Sequence, residues 1–218
     1  MSLEYTTLDL FAGCGGLTQG FTSVSDTAGR FVPVAAVERD KHAAATYAAN
    51  FGAHVYASGI EDWIGTEIPK VDIVIGGPPC QGFSALGTRD PADPRNKMWA
   101  FYAGAVQAAE PSYFVLENVA PFLKSEQFRE LEAATEPGGL LGGYVLQVES
   151  VLASDFGAAQ KRRRAIVIGR RDHLPAVDLP SSGVGSDSHR EGRDRCSRHE
   201  AARVRVAAAR DDHRRRQS

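Results

Sequence analysis

Short apolar runs of strand type alternate along most of this chain with segments patterned as helices. Such alternation predicts an α/β fold, a mostly parallel sheet with helices on both faces. Ligands of such folds bind at the carboxyl ends of the strands. The patterns predict strands at residues 5–11, 31–38, 54–57, 71–77, 112–119, 144–153 and 163–171, the last two paired with each other. They predict helices at residues 16–24, 40–51, 96–110 and 125–135, with Asp40 and Ser125 as amino-terminal caps.

The composition is typical of a soluble globular protein. The 218 residues, 43% hydrophobic and 24% charged, suffice for one domain with a full core. No apolar run reaches the roughly 20 residues that a membrane helix needs. The amino terminus also lacks the pattern of a secretory signal. Three cysteines argue against a disulfide framework. We therefore expect a cytoplasmic protein.

A glycine-rich turn follows the first predicted strand, in "DLFAGCGGLTQGF" (9–21). Gly13, Gly15 and Gly16 would let the backbone approach a ligand closely where the next helix begins. Glu38 ends the second long strand, where a ribose is often held. The pattern favours a nucleoside-containing cofactor over a plain turn, and the imperfect GxGxxG spacing disfavours NAD. Cys14 is interpreted as a small residue of the turn.

A lone cysteine follows two prolines in "GGPPCQGFS" (76–84), at the end of the predicted strand 71–77. Pro78 and Pro79 restrict the backbone before Cys80, while the glycines on either side provide clearance. A buried structural cysteine needs no such scaffold. The pattern therefore predicts Cys80 as a nucleophile at the ligand edge of the sheet.

From about Thr7 to Arg171, the chain resembles the DNA (cytosine-5)-methyltransferases. Four segments carry the resemblance, in the order that the family has them: "DLFAGCGGL", "GGPPCQGFS", "ENV" (117–119) and "QKRRRAIVIG" (160–169). The resemblance implies a Rossmann-like, S-adenosylmethionine-dependent methyltransferase fold. It also implies methylation of carbon 5 of cytosine in DNA, within a restriction–modification or epigenetic system.

The family's chemistry assigns roles to four residues. The resemblance implies that Cys80 attacks carbon 6 of cytosine and that Glu117 contacts ring nitrogen 3 and the exocyclic amine. It further implies that Arg164 contacts the cytosine and that Arg162 steadies the nucleophile loop or a phosphate. Taken alone, the run "KRRR" is more often a solvated or phosphate-binding surface. The target base has to leave the duplex to be reached.

The resemblance also implies an S-adenosylmethionine pocket and no metal. Phe11 would stack on adenine, Glu38 would hold the ribose and Ile60 would flank adenine. Residues 81–96 resemble the family's mobile loop. The complete predicted pocket comprises Phe11, Gly13, Gly15, Gly16, Glu38, Ile60, Pro79 and Met98.

One position departs from the family pattern. An acidic residue usually precedes the isoleucine that corresponds to Ile60, and this chain has Gly59. The carboxylate contact to the adenine amine is then lost unless Glu61 or Asp62 substitutes. On this reasoning Gly59→Asp would tighten cofactor binding by on the order of 1 kcal/mol.

The last part of the chain differs in composition from the rest. Residues 183–218 contain no Leu, Ile, Phe, Tyr or Trp and carry a net charge of +4, whereas residues 1–182 carry −6. We expect a partial methyltransferase domain over 1–182 and disorder over 183–218. The amino-acid composition of this tail resembles the product of a GC-rich gene translated in the wrong reading frame. A basic tail that binds nucleic acid and a metal site from Cys196 and His199 are the alternatives.

The expected partner is double-stranded DNA with a flipped cytosine. Because no target-recognition region is recognised after residue 182, we expect a truncated, poorly active enzyme, incomplete at its carboxyl terminus. A second chain could supply that region, and the protein would be nucleoid-associated in a bacterium. Two further readings remain: an inactive cofactor-binding remnant, and a tRNA cytosine-5 methyltransferase.

Overall fold

The structure, a computed structural model, describes residues 3–79 and 98–178. Within these residues lie eight strands and five α-helices. The strands are β1 (Glu4–Leu10), β2 (Ser25–Asp26), β3 (Gly29–Val37), β4 (Val55–Tyr56), β5 (Ile73–Gly76), β6 (Tyr113–Val119), β7 (Tyr144–Leu152) and β8 (Arg163–Arg171). The helices are α1 (Gly16–Thr22), α2 (Lys41–Phe51), α3 (Ile60–Trp63), α4 (Met98–Ala109) and α5 (Glu126–Thr135).

All eight strands belong to one mixed sheet, in the order β2-β3-β1-β5-β6-β8-β7, with β4 also paired to β3. The pairings of β1 with β3 and β5, of β3 with β4 and of β5 with β6 are parallel. The short β2 and the β7–β8 pair run antiparallel to their neighbours. The prediction of a mostly parallel α/β sheet is confirmed, and so is the pairing of its last two strands.

The strand directions decide what meets at one edge of the sheet. The carboxyl ends of β1, β3, β4, β5 and β6 all lie at the same edge, because these strands are parallel. β8 is antiparallel to β6, so its first residues lie at that edge too. The glycine turn, Glu38, the "ENV" segment and the start of β8 are thereby brought to a common side.

Apolar side chains pack on both faces of the sheet. Alternate residues of β1 and β5, such as Leu8 and Val74, lie with α4 and α5 in the larger core. The intervening residues, such as Ile73 and Ile75, face α1 on the other side. Helices on both faces are therefore confirmed. None of the helices in the described ranges has the length and apolar character needed to cross a bilayer.

Both predicted helix caps are present. The Asp40 side chain accepts hydrogen bonds from the backbone N–H groups of His42 and Ala43, and Ser125 accepts one from Phe128. The sequence patterns missed β2 and α3, which are two and four residues long. Such short elements carry too few residues to show a period.

Candidate active site

The turn after β1 has an unusual backbone that only certain residues adopt without strain. Phe11, Gly13 and Gly15 have positive φ values of 57°, 56° and 89°. A Cβ at Gly15 would lie 2.3 Å from Cε2 of Phe51, so a larger residue there would displace the ring of Phe51 in α2. Both backbone geometry and packing thus require glycine at position 15.

Glu38 holds the turn against the end of β3. Its Oε2 accepts a hydrogen bond of 2.7 Å from the Gly13 N–H, and its Oε1 accepts one of 2.7 Å from Asp40. A Cβ placed on Gly13 or Gly16 would meet no described atom within 4 Å. The backbone at these glycines therefore borders open space, next to a carboxylate. This arrangement fits the polar ribose and methionine parts of a nucleoside cofactor.

A second carboxylate lies near the end of β4. Ile60, the first residue of α3, is buried, and Gly59 precedes it as the helix cap. A Cβ on Gly59 would lie only 2.6 Å from Cδ of Glu61, whose carboxylate forms an ion pair with Arg39. Asp62 is engaged elsewhere, since it accepts a hydrogen bond of 2.7 Å from Ser58. Of the two substitutes for an acid at position 59, Glu61 is the one beside that position.

Glu117 and Arg164 form an ion pair between β6 and β8. Arg164 Nε lies 2.7 Å from Glu117 Oε1, and both side chains are largely shielded, at 19% and 27% exposure for Arg164 and Glu117. Oε2 of Glu117 would lie 3.4 Å from a Cβ on Gly77, directly after β5. The pair therefore lies beside the segment that leads to the predicted nucleophile.

Asn118 holds that segment from the other side of β6. Its buried side chain donates a hydrogen bond of 3.0 Å from Nδ2 to the backbone oxygen of Pro78. Its Oδ1 accepts one of 2.8 Å from the N–H of Val119. The chain is thus fixed two residues before position 80. Cys80 itself lies outside the described residues, as do the loop 81–96 and the tail with Cys196 and His199.

The remaining predicted site residues differ in exposure. Pro79 and Arg162 are exposed, and Phe11 is half-buried against the larger core. Met98 is buried in the same core, at the start of α4. Cys14 is exposed in the glycine turn. The structure brings Glu117 and Arg164 into contact, whereas Arg162 precedes β8 and faces solvent.

Sequence reasoning missed a buried polar group under the turn. Asp9 in β1 is 1% exposed, and its Oδ2 accepts a hydrogen bond of 2.6 Å from Thr18. Burial raises the pKa of Asp9 to about 7. A signal was present, because Asp9 is an acidic residue between two leucines, Leu8 and Leu10, in β1.

Comparisons with known proteins agree with this geometry. A family model for C-5 cytosine-specific DNA methylases matches residues 5–207. The type II methyltransferase M1.HphI of Haemophilus parahaemolyticus is 39% identical over 182 residues, which cover 79% of this chain and 47% of that protein. M.DdeI of Desulfomicrobium norvegicum is 36% identical over 180 residues, covering 77% of this chain and 41% of that protein. The chain thus spans about half the length of the curated relatives it matches.

Solved structures give the same fold. A prophage-encoded DNA modification methyltransferase from E. coli matches with a TM-score of 0.63 and 30% identity, over 79% of this chain and 49% of that chain. The S. pombe Dnmt2 methyltransferase matches with a TM-score of 0.59 and 18% identity, over 79% and 50% of the two chains. At that identity, the second match shows the fold alone.

Proposed function

Because this chain belongs to the family of C-5 cytosine-specific DNA methylases, we propose that it carries the cofactor site and catalytic residues for methylating carbon 5 of cytosine in DNA. The observation that carries the proposal is the Glu117–Arg164 ion pair beside Gly77. It lies at the carboxyl edge of the sheet, where ligands of α/β folds bind. The type II names of the relatives support a role in restriction–modification.

The cofactor is S-adenosylmethionine, which supplies a methyl group bonded to a positively charged sulfur. Glu38 would accept hydrogen bonds from the ribose, since each carboxylate oxygen can accept more than the one backbone hydrogen bond it now has. Phe11 and Ile60 would contact adenine. The backbone from Gly13 to Gly16 would border the methionine part, with Pro79 and Met98 completing the pocket.

We assign the adenine-amine contact to Glu61. Its carboxylate lies beside Gly59 and is oriented by Arg39. An amine donor and a carboxylate acceptor are complementary. The same geometry changes the expectation for Gly59→Asp, because the new side chain would enter space beside a carboxylate that is already there.

The reaction starts with Cys80. Its thiolate would bond to carbon 6 of cytosine, which shifts the electrons of the 5,6 double bond through carbon 5 toward nitrogen 3 and makes carbon 5 nucleophilic. Carbon 5 would then bond to the methyl group, and the sulfur–methyl bond of S-adenosylmethionine would break, so that S-adenosylhomocysteine leaves with the electron pair. Loss of the proton on carbon 5 would restore the double bond and release the cysteine. The hydrogen bond from Asn118 to Pro78 supports this role, because it fixes the chain just before the nucleophile.

Glu117 and Arg164 would stabilise the cytosine while it is bonded to Cys80. Glu117 would contact nitrogen 3 and the exocyclic amine, where charge changes during the attack. Arg164 orients that carboxylate and would contact the base with its remaining N–H groups. Arg162, exposed before β8, would contact a phosphate or the nucleophile loop. The DNA would present its cytosine flipped out of the duplex.

Calorimetry with S-adenosylhomocysteine tests the cofactor site. Glu38→Ala should weaken binding, whereas Glu67→Ala, an exposed glutamate away from the glycine turn, should not. Equal binding by both variants would contradict the site.

Methyl transfer and trapping test the reaction. Tritium transfer from S-adenosylmethionine is measured on plasmid DNA and on tRNA, and covalent capture on DNA that contains 5-fluorocytosine. Transfer to tRNA alone would favour the tRNA-directed alternative. Cofactor binding without any capture on DNA would favour a silent cofactor-binding protein.

A further inference from the structure

A buried chain of hydrogen bonds runs beneath the glycine turn and has no part in the chemistry proposed above. Thr18 Oγ1 donates to Asp9 Oδ2 over 2.6 Å and lies 3.1 Å from the hydroxyl of Tyr47. That hydroxyl lies 3.3 Å from Nε2 of His54. Asp9 and Thr18 are both buried. Within residues 3–79 and 98–178, the buried Oδ1 of Asp9 finds no hydrogen-bond partner.

This series of hydrogen bonds closes the base of the turn. Asp9 lies in β1 just before the turn, and Thr18 lies in α1 just after it. The hydrogen bond between them therefore spans residues 11–16. Tyr47 supports the turn from behind, because a Cβ on Gly15 would lie 3.0 Å from its ring. The same few residues thus hold both ends and the middle of the segment that would approach the cofactor.

The proton on Asp9 decides the direction of the hydrogen bonds. With an ionised Asp9, Thr18 donates its single hydroxyl proton to the carboxylate, and Tyr47 donates to Thr18. Nε2 of His54 then carries a proton to donate to Tyr47. With a proton on Asp9 Oδ2, every hydrogen bond of the series reverses its direction. Asp9 then donates to Thr18, Thr18 to Tyr47, and Tyr47 to Nε2 of His54. An ionised Asp9 would also leave a charged, buried oxygen without a partner, which costs free energy.

We infer that Asp9, Thr18 and Tyr47 are positioning residues that hold the glycine turn in its cofactor-accepting conformation, most firmly while Asp9 carries a proton. This inference rests on the cofactor site proposed above. It adds to that site a group of residues that would not touch the cofactor.

The titratable groups around Asp9 agree with this inference. The pKa of Asp9 is raised to about 7: burial is the largest cause, hydrogen bonding with Thr18 opposes it, and the negative charge of Glu38 at the end of β3 adds a smaller rise. Burial also raises the pKa of Tyr47 from α2 and of Tyr102 from α4, so both stay neutral. Burial lowers the pKa of His54, which favours its neutral form. α1 and β5 contain no ionisable side chain.

The first test compares Thr18→Val with Thr22→Val. Both remove a hydroxyl from α1, but the Thr22 hydroxyl bonds only to backbone oxygens of its own helix. Without cofactor, amide hydrogen exchange at Gly13 and Gly15 should become about tenfold faster in Thr18→Val, the cost of one lost hydrogen bond. Thr22→Val should leave it unchanged, whereas Tyr47→Phe should accelerate it. Unchanged exchange in both Thr18→Val and Tyr47→Phe would overturn the inference, whether or not the protein binds cofactor.

The second test uses Asp9→Asn, which imitates the neutral carboxyl group. The Kd of S-adenosylhomocysteine is measured by calorimetry at pH 6 and pH 8 for both proteins. Titration of the ligand's own amino group cancels in the ratio of the two Kd values. The wild-type Kd should rise about tenfold relative to that of the variant between these pH values. A ratio independent of pH would overturn the role of the proton. If neither protein binds, the proposed function fails, and the exchange test alone decides this inference.

Discussion

Glu117 and Arg164 meet diagonally across two antiparallel strands, with Arg164 Nε 2.7 Å from Glu117 Oε1. Glu117 is directly opposite Ile166, and Arg164 is directly opposite Val119. The two charged side chains therefore share one face of the sheet. A base held by Glu117 would be within reach of both charges.

Arg164→Lys should lower single-turnover methyl transfer by on the order of a hundredfold, because a lysine ammonium lacks the planar guanidinium that places Nε 2.7 Å from Glu117 Oε1 and leaves further N–H groups for the base. The measurement is tritium transfer in a preparation that methylates DNA. Arg163→Lys is the matched control, since Arg163 is the exposed neighbour in β8. Equal losses in both variants would contradict a specific role for the Arg164 guanidinium.

Cys80→Ala should abolish covalent capture by DNA containing 5-fluorocytosine, because Cys80 supplies the attacking thiolate in the proposed reaction. Binding of S-adenosylhomocysteine should stay within a few-fold of the wild-type value. Cys14→Ala, which removes the exposed cysteine of the glycine turn, should still be captured. Capture of the Cys80→Ala protein would refute the assignment.

Gly59→Asp alone should not tighten cofactor binding, since its side chain would crowd the Glu61 carboxylate. Glu61→Ala should weaken binding by about 1 kcal/mol, a typical net value for one hydrogen bond. The double variant Gly59→Asp with Glu61→Ala should recover most of that loss. Calorimetry with S-adenosylhomocysteine decides between this and the expectation from sequence, in which Gly59→Asp improves binding by itself.

Asp9 should make the stability of the fold depend on pH. Its pKa is raised to about 7 in the folded protein from an ordinary value of 3.8, so the folded state keeps a proton that the unfolded chain releases. The resulting stabilisation is fully present below about pH 4 and is lost as the pH rises through 7. In urea unfolding, the free energy of unfolding of Asp9→Asn should rise relative to that of the wild type by a few kcal/mol from pH 4 to pH 8. Asp26→Asn, at an exposed aspartate, should show no such gain.

Asn118→Ala should destabilise the protein by about 1–3 kcal/mol, because it leaves the Pro78 oxygen and the Val119 N–H without their partner. The rate at which iodoacetamide alkylates Cys80 should change as well. Asn50→Ala, which removes an exposed hydrogen bond within α2, should change neither quantity. An unaltered alkylation rate in Asn118→Ala would separate Asn118 from the nucleophile.

Much of the fold was predictable because its signals are local. The caps at Asp40 and Ser125 depend on residues within one helical turn, and both are present. The motif "ENV" and the start of β8 were predicted as parts of one site, and Glu117 does contact Arg164. The predicted roles of all the site residues, Cys80 included, and of the last 36 residues stay predictions.

The features that sequence reasoning missed depend on contacts between distant residues. The hydrogen bonds from Thr18 to Asp9 and between Thr18 and Tyr47 form only after α1 and α2 have packed on the same face of the sheet. The sequence left Glu61 and Asp62 both open as substitutes for an acid at position 59, and the ion pair of Glu61 with Arg39, from the end of another strand, shows only in the structure. No periodicity or motif in the sequence predicts such contacts.

The pairing of β8 between β6 and β7 limits which insertions and deletions the protein tolerates. Side chains alternate along a strand, so a slip of β8 by a single residue would turn Arg164 to the opposite face, away from Glu117. The connection at residues 153–162 can change in length without this effect, provided that β8 keeps its alignment with both neighbours. A deletion inside β8 between Arg164 and Ile168 would have this effect, because it shifts one half of the strand relative to the other. The register of this strand, as well as its composition, is therefore required for the contact between Glu117 and Arg164.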